Sequence, residues 1–136
     1  MGAWGHGPFE NDGAYDYLAS LRDIGTAAAP DALRQTLTAF LAPSQMVSSK
    51  SADQAVAAAA LIALRAGADA SVSGTVEDFL DSHPFAWDEE MRTLAAKAFT
   101  HALEAENNEW LEVWEDQAHK VAAALEPFRQ AVADPT

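Results

Sequence analysis

Between Ala14 and Phe128 the apolar residues recur three and four positions apart. Nowhere do they alternate over four or more residues with the β-branched enrichment that marks a strand. A chain with only this period can bury its apolar side by packing helix on helix. The expectation is an all-α fold, a compact single-domain bundle or array of about six helices with short connections.

The stops and starts sharpen it. Ala14, Tyr17, Leu18, Leu21 and Ile24 share one helical face, and Gly25 is placed to end that helix. Pro30 opens a second helix carrying Leu33, Leu37, Phe40 and Leu41, which Pro43 ends. A serine-rich loop, 44–51, precedes a capping-box pattern of Ser51 and Gln54. The helix behind it presents Val56, Ala57, Ala60, Leu61 and Leu64, and Gly67 closes it. Its many alanines predict a central helix approached closely by its neighbours. Thr75 to Asp78 start a short helix stopped by His83-Pro84, and Asp88 starts the next. That helix carries Met91, Leu94, Ala95, Ala98, Ala102 and Ala105, with Phe99 at the edge of the stripe. Asn107 and Asn108 break it. Leu111, Trp114, Ala118, Val121, Leu125 and Phe128 then continue at helical spacing, and Pro127 kinks or restarts the chain near Glu126. Residues 108–134 read equally as one bent helix or as two.

One stretch breaks the pattern. Met1-Gly2-Ala3-Trp4-Gly5-His6-Gly7-Pro8-Phe9-Glu10 places two large aromatics among glycines and a proline, with a helix-start signal, Asn11-Asp12, directly behind. Glycine permits unusual backbone angles and close approach, and aromatics plug apolar grooves. Residues 1–10 are expected to form a strap packed on a single domain spanning 1–136, a length that buries about two thirds of the unfolded surface.

Composition excludes several functions. There is no cysteine, so disulfides and thiolate metal sites are ruled out. No run reaches the roughly 18 uncharged apolar residues of a membrane span, and no basic-then-apolar leader is visible. A cytoplasmic protein without membrane attachment is expected. The 21 acidic and 8 basic residues give a net charge of −13. Such a chain does not bind phosphate backbones, which need cationic neutralisation; it suits a basic partner.

The start MGAWGxGPFxND, followed by Ala14 and Leu18, resembles the bacterial domain-of-unknown-function 4259 family. So does the late segment Asn107-Asn108-Glu109-Trp110-Leu111-Glu112-Val113-Trp114-Glu115, similar to that family's Asn-Ser-Glu-Leu-x-x-Leu-Trp-Glu. The resemblance runs through the chain in order, including the alanine-rich middle and the His-Pro stop. His6 departs from the small residue expected at its position. The resemblance implies a small, mostly helical bacterial protein and carries no catalytic residue.

Three functional readings follow. The first is a non-catalytic interaction or regulatory module whose docking face is Glu109, Glu112, Glu115 and Asp116, opposite the Leu111–Trp114–Ala118 stripe, with a basic protein as partner. The second is a metal-binding protein or enzyme. Glu112, Asp116 and His119 are spaced i, i+4, i+7, and His101 with Glu104 offers a further pair. Such oxygen and imidazole ligands suit iron, manganese or zinc. The third is a small-ligand pocket lined by Trp4, Phe9, Trp110 and Trp114, with Trp87 near it. The first is preferred, and no cofactor or catalytic residue is predicted with it. The glycines make no phosphate loop, since no Lys-Ser or Lys-Thr follows them, and no serine sits in a nucleophile elbow.

Overall fold

In a computed structural model, the structure describes residues 7–9, 11–42, 49–68, 72, 74–104, 109–112, 114 and 117–133. Seven helices are present among them: α1 (Asp12–Ile24), α2 (Ala29–Leu41), α3 (Ser49–Arg65), α4 (Gly74–Ser82), α5 (Glu89–Glu104), α6 (Glu109–Glu112) and α7 (Ala118–Val132). No strand occurs among the described residues.

The organising element is α3. Every residue from Ala55 to Ala63 is at most 1% exposed. A helix that is apolar all round belongs in the middle of a protein, and α3 touches α1, α2, α5, α6 and α7. Alanine is what allows five neighbours: short side chains let their axes approach on every side. Its largest fully buried side chains, Leu61 and Ile62, fill the space that remains.

The flanking helices bury one stripe each. Tyr17, Leu18 and Leu21 of α1 and Leu33, Leu37 and Phe40 of α2 point inward. The Tyr17 hydroxyl donates to Thr36 Oγ1 at 2.8 Å, tying α1 to α2. Burial pushes the Tyr17 phenol up to about 12, against the opposing pull of the Thr36 bond. Gly25 stops α1 with φ +86°, and Gly67 follows α3 with φ +107°; both adopt backbone that side chains disfavour.

Several details differ from the expectation. Ile24 lies on the periodic stripe of α1 but is 48% exposed, because the helix ends at that residue. α3 begins at Ser49, so Ser51 lies in its first turn and is not a cap ahead of it. Phe99 is fully buried rather than marginal, since α5 packs against α2 and α3 as well as α7 and so has a wide apolar face. The late region is two helices, α6 and α7. They are separated by a turn in which Trp114 N–H donates to Leu111 O at 3.0 Å and Gln117 N–H to Trp114 O at 2.8 Å. Pro127 does not restart the chain: α7 runs through it to Val132. The helical bond that it removes would have gone to Ala123, an exposed position where water can serve the carbonyl. Pro43, Ala105, Asn107 and Asn108 lie outside the described residues.

Candidate functional site: Asp53 between the N-terminal turn and α6

Asn11 starts α1. Its backbone is extended (φ −156°, ψ 159°), and its side-chain oxygen accepts from the Ala14 N–H at 2.7 Å. This satisfies one of the donors that every helix start leaves open. Asn11 is the buried polar residue of the described core, at 8% exposure. Two residues on, Gly13 presses against α3. A Cβ built there would lie 2.9 Å from Asp53 Cβ, 3.1 Å from Asp53 Oδ2 and 3.4 Å from Asn11 Oδ1. Only a glycine fits without movement of one helix.

Asp53 sits in the N-terminal part of α3, next to the fully buried Ala52. On its other side lies α6. Trp110, 5% exposed, donates its indole N–H to Asp53 Oδ1 at 2.9 Å. Burial pushes the Asp53 carboxyl above the usual carboxylate range, and the Trp110 bond pulls it partly back. Among the described residues no lysine or arginine pairs with it. Phe9, 4% exposed, completes the arrangement from the N-terminal turn, with its ring edge-on to Phe128 of α7 at 6.4 Å and 72°.

A carboxylate placed this way can hold N–H donors and orient two elements. Among the described residues no group of three or more His, Cys, Asp or Glu is placed to hold a metal ion.

The residues singled out from the sequence fall in several places. Phe9 and Trp110 are core residues, Trp114 is half-buried against the core, and Trp87 is 37% exposed. Trp4 lies outside the described residues. A groove of about 330 Å³ between α5 and α7 is lined by Ala96, Thr100, Glu126, Arg129, Gln130 and Ala133, and none of those aromatics borders it. Glu112 is exposed at the end of α6 and His119 is exposed at the start of α7. Their expected i, i+7 relation needs one continuous helix, whereas the chain turns between them. His101 is half-buried with its ring edge-on to Phe40 at 5.0 Å, and Glu104 is exposed. Glu109 opens α6; Glu115 and Asp116 lie outside the described residues. Asp53 itself escapes a search for cap motifs. The signal that finds it is its place at i−3, i−4 and i−7 from Val56, Ala57 and Ala60, an acid on the apolar face of a core helix.

These features define a class: a small all-α domain built around a buried alanine-rich helix, with its N-terminal turn and a late tryptophan helix meeting at one carboxylate. The two segments that meet there are those that carried the family resemblance. The family described as "Domain of unknown function (DUF4259)" matches over residues 2–126, and the chain belongs to that family. No curated protein and no solved structure matches the chain.

Proposed function

We propose that this is a non-catalytic, acidic interaction or regulatory module of the bacterial cytoplasm, which docks a basic protein. The observation that carries the reading is how unevenly charge is neutralised. The ion pairs among the described residues gather around Arg34 (with Asp31, Asp88 and Glu90) and Arg92 (with Glu89). Arg22 and Arg65 are turned to backbone oxygens instead, those of Thr75 and Phe85. The exposed acids of α1 (Asp12, Asp16, Asp23), α4 (Glu77, Asp78, Asp81) and α6 (Glu112) form no ion pair among the described residues.

A surface with that much uncompensated charge attracts a cationic partner at long range and speeds encounter. The inward Trp110 supports a place for α6 in the docking face, since Glu112 on the same turn is exposed. No helix among the described residues is long and apolar enough to cross a membrane.

The test is affinity capture from the native lysate at low and high salt, followed by association kinetics with the purified binder. A basic protein whose on-rate falls with salt, and falls again with Glu109→Lys plus Glu112→Lys, supports the reading. A binder indifferent to that charge reversal removes α6 from the face. No binder at either salt overturns the proposal.

A further inference from the structure

Asp53 poses a question that packing alone does not answer. An asparagine there would accept the Trp110 bond equally well. It would also avoid placing a charge in a half-buried position that no described cation shares. The carboxylate has a use only if its second oxygen matters. That oxygen, Oδ2, faces the first turn of α1, 3.1 Å from where a Gly13 Cβ would be, and the start of a helix favours negative charge.

We propose that Asp53 is a positioning residue that couples the start of α1 to α6. One oxygen holds the Trp110 indole and the other faces the Asn11–Gly13 turn, so a disturbance of either element is passed to the other. The N-terminal turn thereby becomes a latch on α6. Gly13 is the clearance this requires, since a Cβ there would lie 2.9 Å from Asp53 Cβ and 3.1 Å from Oδ2, and the carboxylate would have to shift. α6 is a single turn of four residues, and the bond from Trp110 to Asp53 is a direct polar tie between that turn and the central helix. The coupling stands or falls separately from the docking reading, although a latch on α6 would set where Glu112 is presented.

The experiment is solvent exchange by NMR on the full chain. One probe reports each arm: the Trp110 indole N–H, and the Ala14 amide bonded to Asn11. The Ala59 amide of the buried α3 is the internal reference for global opening. In Asp53→Ala, both probes should exchange about tenfold faster or more relative to Ala59. In Asp53→Asn, the indole should stay protected while Ala14 is released, because the amide keeps one arm and loses the charge at the other. In Trp110→Phe, which removes the donor together with part of the buried ring, Ala14 should exchange faster relative to Ala59; added to Asp53→Ala, the same change should add nothing to that relative rate. Release of the indole alone in Asp53→Ala would make Asp53 a simple acceptor and overturn the latch. Equal acceleration of all three probes would show global destabilisation and overturn it too. So would an Asp53→Asn chain that protects Ala14 fully. Should Asp53→Ala fail to fold, Asp53→Asn decides the matter by both probes and Trp110→Phe by the Ala14 amide, the probe that it keeps.

Discussion

The middle of α3 and Asp53 near its start both pack against neighbouring helices, yet different forces hold them there. From Ala55 to Ala63 the helix is apolar on every side and owes its place to burial and close packing. At Asp53, two residues earlier, the same helix brings a carboxylate inward and holds it with a neutral indole N–H, against a backbone with no room for a side chain. The first kind of contact is forgiving in chemistry and strict in volume. The second is strict in both. A helix can therefore be a passive spacer along most of its length and a specific joint at one end.

The comparison can be tested first where the effect is largest. Leu61→Ala removes a fully buried side chain from the spacer region and should cost about 3 kcal/mol, because the neighbours of α3 cannot all collapse onto the cavity. A loss below about 1 kcal/mol in chemical denaturation would mean that the helices around α3 relax freely, and that the packing there is looser than described.

Gly13→Ala should come next, at about 2 kcal/mol of destabilisation from overpacking. The sign is the informative part. Within a helix alanine is normally favoured over glycine by roughly 1 kcal/mol, but here its Cβ would lie 2.9 Å from Asp53 Cβ, which is not the far end of a flexible side chain. A stabilised Gly13→Ala chain would show that α1 and α3 are not in close approach, and the contrast between joint and spacer would disappear.

Asp53 itself should distinguish charge from hydrogen bonding. Asp53→Ala leaves the buried Trp110 N–H without its acceptor and should cost about 2 kcal/mol. Asp53→Asn keeps an acceptor and removes a charge whose burial is unfavourable. Since burial raises the folded carboxyl above its unfolded value, the wild-type contribution is fully present below the unfolded value and is lost as pH rises through the folded one. Asp53→Asn should therefore gain on the wild type as pH rises across and just above the carboxylate range. Paired denaturation curves at several pH values check this. A constant difference would show that Asp53 titrates like a surface acid.

Most of the fold is legible in the sequence, and the reason is local. Gly25 and His83-Pro84 act through their own backbone and Asp88 through a side-chain cap three residues away, so the ends they set can be read without knowing the neighbours. Phe99 could not be placed that way, because its burial depends on α5 having partners on more than one side. The candidate site was less legible still. Asn11 and Trp110 belong to motifs that stand out in the sequence, but Asp53 is a lone acid, and it matters only because residues 42 positions before it and 57 after it fold back onto it. Periodicity gives the face on which Asp53 stands, and only the three-dimensional arrangement gives it partners. The Glu112–Asp116–His119 spacing shows the converse: regular intervals carry meaning only while the helix continues, and here α6 ends at Glu112.

A second acid supplies the smallest effect and the sharpest contrast with Asp53. Asp88 caps α5: its Oδ1 accepts from the Met91 N–H at 2.9 Å, and its Oδ2 takes an Arg34 guanidinium N–H at 2.9 Å. Those contacts, the backbone bond first, hold its carboxyl below the usual carboxylate range. Its contribution is present above the unfolded value and is lost as pH falls through the folded one, the opposite of Asp53. Asp53 is half-buried and Asp88 exposed, and their substitutions should diverge accordingly. Asp88→Ala should cost about 1 kcal/mol, the usual worth of a cap. Asp88→Asn keeps the cap and weakens only the exposed pair with Arg34, so its change should be smaller still and should shrink as salt is added. An Asp88→Asn loss as large as that of Asp88→Ala, and indifferent to salt, would mean that the Arg34 pair rather than the cap holds α5 at its start. A surface charge would then be acting as a structural joint in the way that Asp53 does inside.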